Sequence, residues 1–486
     1  MKKLLCVCLS AALFSACGPD GHTYYVDSLN GSDDNPGTSM AAPLRSLEKL
    51  NALRFQPGDK ILFRAGTRYD GQFEPNGCGT AEAPIVVDMY GEGPKPGIHG
   101  HGAKQHALLL DGVSYWEVNN LEITNHGETP APGRNGVVVH AFDKGDVTHI
   151  HLRNLAVHAV NGSCVKNEGA GNGIYWHCGG DRVPTRFVDL RIEGCHVYDC
   201  QRNGITGSGN TDRDHWYPSL GVVIRGNLIE KVPGDGIVPI GCDGALVEWN
   251  VVRDSPDLLR IEDAAAGIWP WGSDNSVIQY NEVSAQNAKW DGQGFDCDYN
   301  CRNTVVRFNF SHDNAGGFVM ICNEGNTLGR PYNIGTTGSR VYGNVSINDG
   351  LRSYPTRPGW FSPTIHVSGP SEDSVIEDNL IVVFAKPDPE MDHTLIQMDN
   401  WGGPWPKDLV FRNNRVWIFD ERPYRIHVGD SSGIRFEGNE LFGRIDGPLP
   451  GFNELSAKPD VTQELPFHPD FPAELRERVC KRLEMY

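Results

Sequence analysis

The chain has 486 residues, 39% of them hydrophobic, with 57 glycines and a formal charge of −19. That acidic balance argues against nucleic acid or an anionic membrane surface as a partner, and nothing beyond the N-terminus is apolar for long enough to span a bilayer. The apolar content allows a large core, and the glycine content points to turn-dense β structure.

The chain opens with a basic tip at Lys2 and Lys3, a short apolar stretch, and small residues leading to Cys17. This reads as an export signal over residues 1–17 rather than a membrane helix. Phe14-Ser15-Ala16-Cys17 resembles the lipobox of bacterial lipoproteins, which implies lipidation at Cys17 and a cell-surface or outer-membrane location. A periplasmic or secreted protein with an incidental cysteine is the alternative. Cys6 and Cys8 leave with the leader, and ten cysteines remain beyond Cys17. Several are expected as buried thiols and a few as bridges, with Cys297 and Cys301 the candidates for a bond to a neighbouring coil. No cysteine pair has the spacing of a zinc site.

Residues 18–105 are expected to form an N-terminal cap, with a short amphipathic helix at Ser46-Leu47-Glu48-Lys49-Leu50 covering the open end of the coils. Residues 106–448 carry two ladders. The first is Asn120, Asn154, Asn227, Asn250, Asn281, Asn309, Asn344, Asn379, Asn414 and Asn439, with Gly194-Cys195 in one slot. Each lies between two apolar strand patterns at a period of roughly 23–47 residues, the mark of a solenoid. Asn tolerates left-handed bends, so this ladder is structural.

The second ladder aligns Gly173-Ile174-Tyr175-Trp176-His177, Gly204-Ile205-Thr206, Gly236-Ile237-Val238-Pro239, Gly267-Ile268-Trp269-Pro270-Trp271, Gly294-Phe295-Asp296-Cys297-Asp298 and Gly317-Phe318-Val319-Met320. It continues as Ile365-His366, Ile396-Gln397 and Ile426-His427. Strand side chains alternate. With Ile or Phe inward, Trp176, Pro239, Pro270, Cys297, Met320, Val367 and Met398 are expected inward too. Asp296 and Asp298 then share the outer face, ~6.6 Å apart along the strand, with Trp269 and Trp271 one coil away.

The expected fold is therefore all-β: a right-handed parallel β-helix of about ten coils with an N-terminal capping segment, and a tail over 449–486 with a short helix. Tyr25-Val26-Asp27, Gly31-Ser32-Asp33-Asp34-Asn35-Pro36-Gly37 and Gly58-Asp59-Lys60-Ile61-Leu62-Phe63 resemble the openings of secreted bacterial β-helix proteins of carbohydrate metabolism. That resemblance implies the fold, and the site must decide the activity.

Two carboxylates on an exposed strand face suit the acid and base of a glycosidase, and mutual repulsion raises one of their pKa values. Asp296 and Asp298 are the candidate catalytic pair. Trp269 and Trp271 are the candidate sugar platform, while His366, Glu262, Asp263, His312, Asp313 and Glu324 are further candidates for substrate contacts. Long insertions at 254–265, 323–339 and 348–363 are expected to wall the strip into a pocket. Asn210-Thr211-Asp212 matches a polygalacturonase motif, but Val238 and Ile240 stand where its acid pair would come. His99-Gly100-His101-Gly102 has no partner acids.

The expectation is a monomeric glycoside hydrolase acting on a carbohydrate, with no resident metal and calcium the one cofactor left open. A calcium-dependent polysaccharide lyase is the alternative; it needs a Lys or Arg base, and only Lys289 and Arg302 flank the strand. A non-catalytic glycan-binding lipoprotein leaves the acids unexplained.

Overall fold

Alternating apolar residues on short strands stack coil upon coil into three parallel sheets that enclose one continuous core, the architecture of a parallel β-helix. The computed structural model describes residues 21–356, 360–448, 450–463 and 465–486; the leader and Cys17 lie outside them. Among the described residues, no helix is long and apolar enough to cross a membrane.

Inward columns keep strict register. On the first face Val118, Leu152 and Ile192 stack, then Ile224, Val247 and Ile278. On the third, Ile174, Ile205, Ile237, Ile268 and Phe295 succeed one another. Pro239 and Pro270 lack the N–H that a ladder needs. The third sheet therefore runs as two five-stranded parts joined through isolated bridges at Ile237, Ile268 and Phe295. That interruption lies directly beside the coil of Asp296.

Within 106–448 the second sheet has eleven strands, from Glu122–Asn125 to Asn439–Phe442, in keeping with about ten coils, and the other three of its 14 strands lie in the flanking segments. The segment 18–105 supplies Thr23–Val26, Lys60–Arg64 and Ile85–Tyr90 to the first sheet, so it contributes coils of its own. Within it the expected helix forms over Leu47–Asn51, capped by the Ser46 hydroxyl, with Leu47 and Leu50 buried.

The Asn ladder is real from Asn227 onward. Each side chain from Asn227 to Asn414 donates to the next one's oxygen, as in Asn281 Nδ2 to Asn309 Oδ1 at 3.0 Å. Asn120 and Asn154 do not share this slot. They occupy the preceding residue, with φ of 57° and 52°, where Trp249 and Tyr280 stand in later coils. The inward slot there holds Leu121, Leu155 and Cys195.

All ten described cysteines are free thiols. The expected bridge from Cys297 or Cys301 does not form; the Cys301 Sγ instead lies 3.6 Å from the Pro270 carbonyl.

The C-terminal helix Ala473–Leu483 packs Leu475, Val479 and Leu483 against Phe308, Phe310, Val345 and Leu380 on the outside of the second sheet. Arg482 and Tyr486 bond Asp313, and Arg478 bonds Glu282. His312 bridges Asp313 and Glu282 and is pushed up to about 9 by those two carboxylates, against burial. His312 and Asp313 thus fasten the tail, and neither lines the cleft into which Asp296 and Asp298 open.

Candidate active site

Strand Gln293–Cys297 turns Phe295 and Cys297 into the core and Asp296 outward, and Asp298 lies beyond it on the same outer face. The next coil is offset by one residue from the expected alignment. Phe295 pairs with Val319 and Asp296 with Met320, so Val319 and Ile321 point inward while Met320 stands beside Asp296. A one-residue slip exchanges the two faces of a strand. It also brings Cys322 beside Asp298, where its thiol donates to Oδ1 at 3.2 Å.

Asp296 and Asp298 open into a cleft of about 530 Å³ with Trp269, Trp271, Trp290, Trp401, Lys166, Asp235 and Asp291 among its walls. A second cavity of about 290 Å³ adjoins it, sharing Trp290, Asp291 and Trp401 and adding Arg352, Phe361, His366 and Asp399. The 348–363 insertion supplies Arg352 and Phe361, and the 254–265 insertion supplies Ala264 and Ala265, as expected, whereas the 323–339 insertion lines neither cavity.

Four carboxylates line the cleft, Asp235 in an ion pair and the other three with raised pKa values. Burial pushes the Asp296 carboxyl well above its usual range, reinforced by Asp291, Asp298 and Asp235. Its side chain is almost sealed, with the residue 2% exposed, and its Oδ1 has no hydrogen-bond partner among the described residues. Asp298 is less enclosed; burial lifts it to about 7, opposed by the Tyr299 N–H and the Cys322 thiol. Asp291 is raised by burial, with Lys166, His366 and Arg352 pulling the other way.

Asp291 is absent from the candidates that the sequence offers. It ends the short strand Trp290–Asp291 at φ 59°, in a segment whose carbonyls are gripped by one buried guanidinium. Arg352 donates to Ala288 O at 2.9 Å, to Asp291 O at 2.5 Å, and to Lys289 O. Gly316 permits the adjoining coil to approach, since a Cβ there would lie 1.7 Å from the Asp291 carbonyl.

The charge balance comes from a distant loop. Lys166 lies 4.8 Å over the Trp269 ring and 3.6 Å from Asp235. Burial raises Asp235, but Lys166 and the fully buried Arg202 outweigh it and keep the carboxyl below its usual range. Arg202 also bonds Asp263, whose other oxygen takes the Lys166 N–H. Asp263 therefore positions the loop and does not line the cleft. Glu262 stands outside the cleft, and the Glu324 carboxylate accepts from the Thr327 hydroxyl within a short turn. His366 lines the adjoining cavity, bonded to Asp399 at 2.8 Å.

Trp269 is 7% exposed and donates to Asp235, so it is a wall rather than an open platform. Trp271, Trp290 and Trp401 keep more open ring surface. Replacing Trp290 or Trp401 by Ala is expected to raise KM about tenfold with a smaller change in kcat, because the apolar face of a sugar loses a ring worth about 1 kcal/mol or more of contact. Steady-state kinetics check this.

Fold and site together define a parallel β-helix with an acid-lined, tryptophan-walled cleft on its third face. The family model described as "Right handed beta helix region" matches residues 172–348, in accord with the expected hand. The chain is 29% identical to a lacto-N-biosidase of Bifidobacterium longum subsp. longum over 470 residues, covering 74% of this chain and 29% of that protein. It thus spans less than a third of that relative. It is also similar to the GH136 lacto-N-biosidase of Eubacterium ramulus. The selenomethionine structure gives a TM-score of 0.65 at 26% identity, covering 81% of this chain and 67% of the other. The native structure gives 0.65 at 25% identity, covering 85% and 68%.

Proposed function

We propose that the chain is a glycoside hydrolase of the lacto-N-biosidase kind, acting on an oligosaccharide that contains the lacto-N-biose unit in the relatives' name. The observation that carries this reading is the convergence of Asp291, Asp296 and Asp298 on one aromatic-walled cleft. An exported, lipid-anchored protein held through Cys17 suits the same role.

Asp298, half-protonated near pH 7, is the general acid that gives its proton to the departing glycosidic oxygen. Asp291 keeps cations near it and is the ionised partner, attacking the anomeric carbon or activating water. Asp296, whose protonated form burial favours, stands behind Asp298 and Asp291 and sets the charge of the group rather than meeting the sugar. The Cys322 thiol, pushed up by burial, remains protonated and orients Asp298. The scheme needs no calcium. Lys166 is engaged by Asp235 and Trp269, which makes it a poor base for a lyase.

The pH dependence comes from these groups. kcat/KM is expected to fall above about pH 7 as Asp298 loses its proton. It falls on the acid side as Asp291 gains one, at a pH above the ordinary carboxylate range. A pH–rate profile with an optimum at mildly acidic pH is the expected result, and a flat profile to pH 9 would remove Asp298 from the acid role.

A further inference from the structure

On the outer face of the first sheet, away from the cleft, two histidines and two carboxylates from three successive coils meet. Glu117 lies on Trp116–Asn119, His149 and His151 on Asp146–Arg153, and Asp189 on Arg186–Glu193. Ile150 and Leu152 point into the core, so His149 and His151 stand together outside, with ring centroids 3.8 Å apart. We propose that Glu117, His149 and His151 form a binding site for one zinc-class divalent cation, with Asp189 orienting both imidazoles.

The donor geometry is the argument. Glu117 Oε1 lies 3.0 Å from His149 Nε2 and 3.8 Å from His151 Nδ1, and one ligand atom from each residue lies within 4.8 Å of the others. A tetrahedral zinc with bonds of about 2.0–2.1 Å separates its ligand atoms by about 3.3 Å, inside that span. The far nitrogens, His149 Nδ1 and His151 Nε2, both meet Asp189 Oδ2, at 3.0 and 2.9 Å. Metal-bound imidazoles characteristically hold a carboxylate with their other N–H. With Asp189 accepting from both rings, His151 Nδ1 presents a lone pair that the Arg153 guanidinium fills, and His149 Nε2 meets Glu117 Oε1 at 3.0 Å. That arrangement calls for a cation, and imidazole with carboxylate favours zinc over magnesium or calcium.

The cation now beside these atoms is Arg153. Its Nη2 donates to His151 Nδ1 at 2.6 Å and its Nη1 to Glu117 Oε2 at 3.0 Å. Its Nε is held by Glu193 at 3.3 Å, and Arg191 neutralises the other Asp189 oxygen at 2.6 Å. The guanidinium has a second carboxylate to retreat to when metal enters. The bound ion would then tie three coils together and stabilise the fold by mass action.

The test uses the full-length protein, stripped with chelator and dialysed against Zn2+ or Co2+. The expected result is one equivalent of zinc, a tetrahedral visible spectrum with cobalt, and a metal-dependent rise in Tm. His149→Asn and Glu117→Gln should each weaken binding at least about tenfold. Arg153→Gln keeps every ligand and removes the competing guanidinium, so it should tighten binding at least about tenfold, and it serves if the other variants fail to fold. No bound metal in the unaltered protein overturns the site. So does binding indifferent to Arg153→Gln, which would place the ion elsewhere.

Discussion

Asp298→Asn and Asp291→Asn are each expected to lower kcat by about a thousandfold or more, within the roughly 10²–10⁴ that a positioned acid or base contributes and the further loss when a nucleophile is removed. Asp296→Asn, at a buried carboxyl whose neutral form burial favours, should cost about tenfold to a hundredfold. Stability separates this from unfolding. The folded chain holds a proton on Asp298 up to about pH 7, whereas an unfolded Asp releases it near about pH 4. A raised carboxylate pKa means that folding stability falls as pH climbs through that window. The Asn variant escapes that loss, so its Tm at pH 7 should equal or exceed the unaltered protein's. A large loss of Tm together with activity would show a structural role instead.

Asn281→Ala, in the middle of the ladder, is expected to destabilise the fold by about 3–5 kcal/mol. Its oxygen accepts from Asn250 N and Nδ2, and its Nδ2 donates to Val247 O and Asn309 Oδ1. All lie in the interior, so truncation leaves several buried groups unpaired at once. Asn120→Ala, at a half-buried left-handed position outside the ladder, should cost about 1 kcal/mol. Denaturant unfolding of the two variants measures the contrast.

These residues also mark how far the sequence could be read. Period-two alternation with Asn and Gly turns revealed the solenoid and put Asp296 and Asp298 outside, because strand geometry is local. Register across coils is not local. Gly316-Gly317 left two alignments open, and in the folded chain Val319, rather than Phe318, stands opposite Phe295. Asp291 was hidden because its importance comes from the Arg352 clamp 61 residues away. Lys166 was hidden because its loop reaches the cleft from coils upstream. His312-Asp313 looked like a reserve of acid and base, but its partners are on a C-terminal helix that no periodicity connects to it. Glu262 and Asp263 lay on an insertion that does reach the cleft and Glu324 on one that does not, and the packed loops place all three outside it, with Asp263 and Glu324 spent on an ion pair and a turn.

The most direct measurement of the proposed activity is mass analysis of the products from a lacto-N-biose-containing oligosaccharide in ¹⁸O-water. The unaltered protein should cleave one glycosidic bond and place a single ¹⁸O in the newly freed reducing sugar, with no unsaturated product, while Asp298→Asn leaves the substrate intact. Cleavage without ¹⁸O and with near-ultraviolet absorption from a new double bond would contradict hydrolysis, and unchanged turnover in Asp298→Asn would contradict the site.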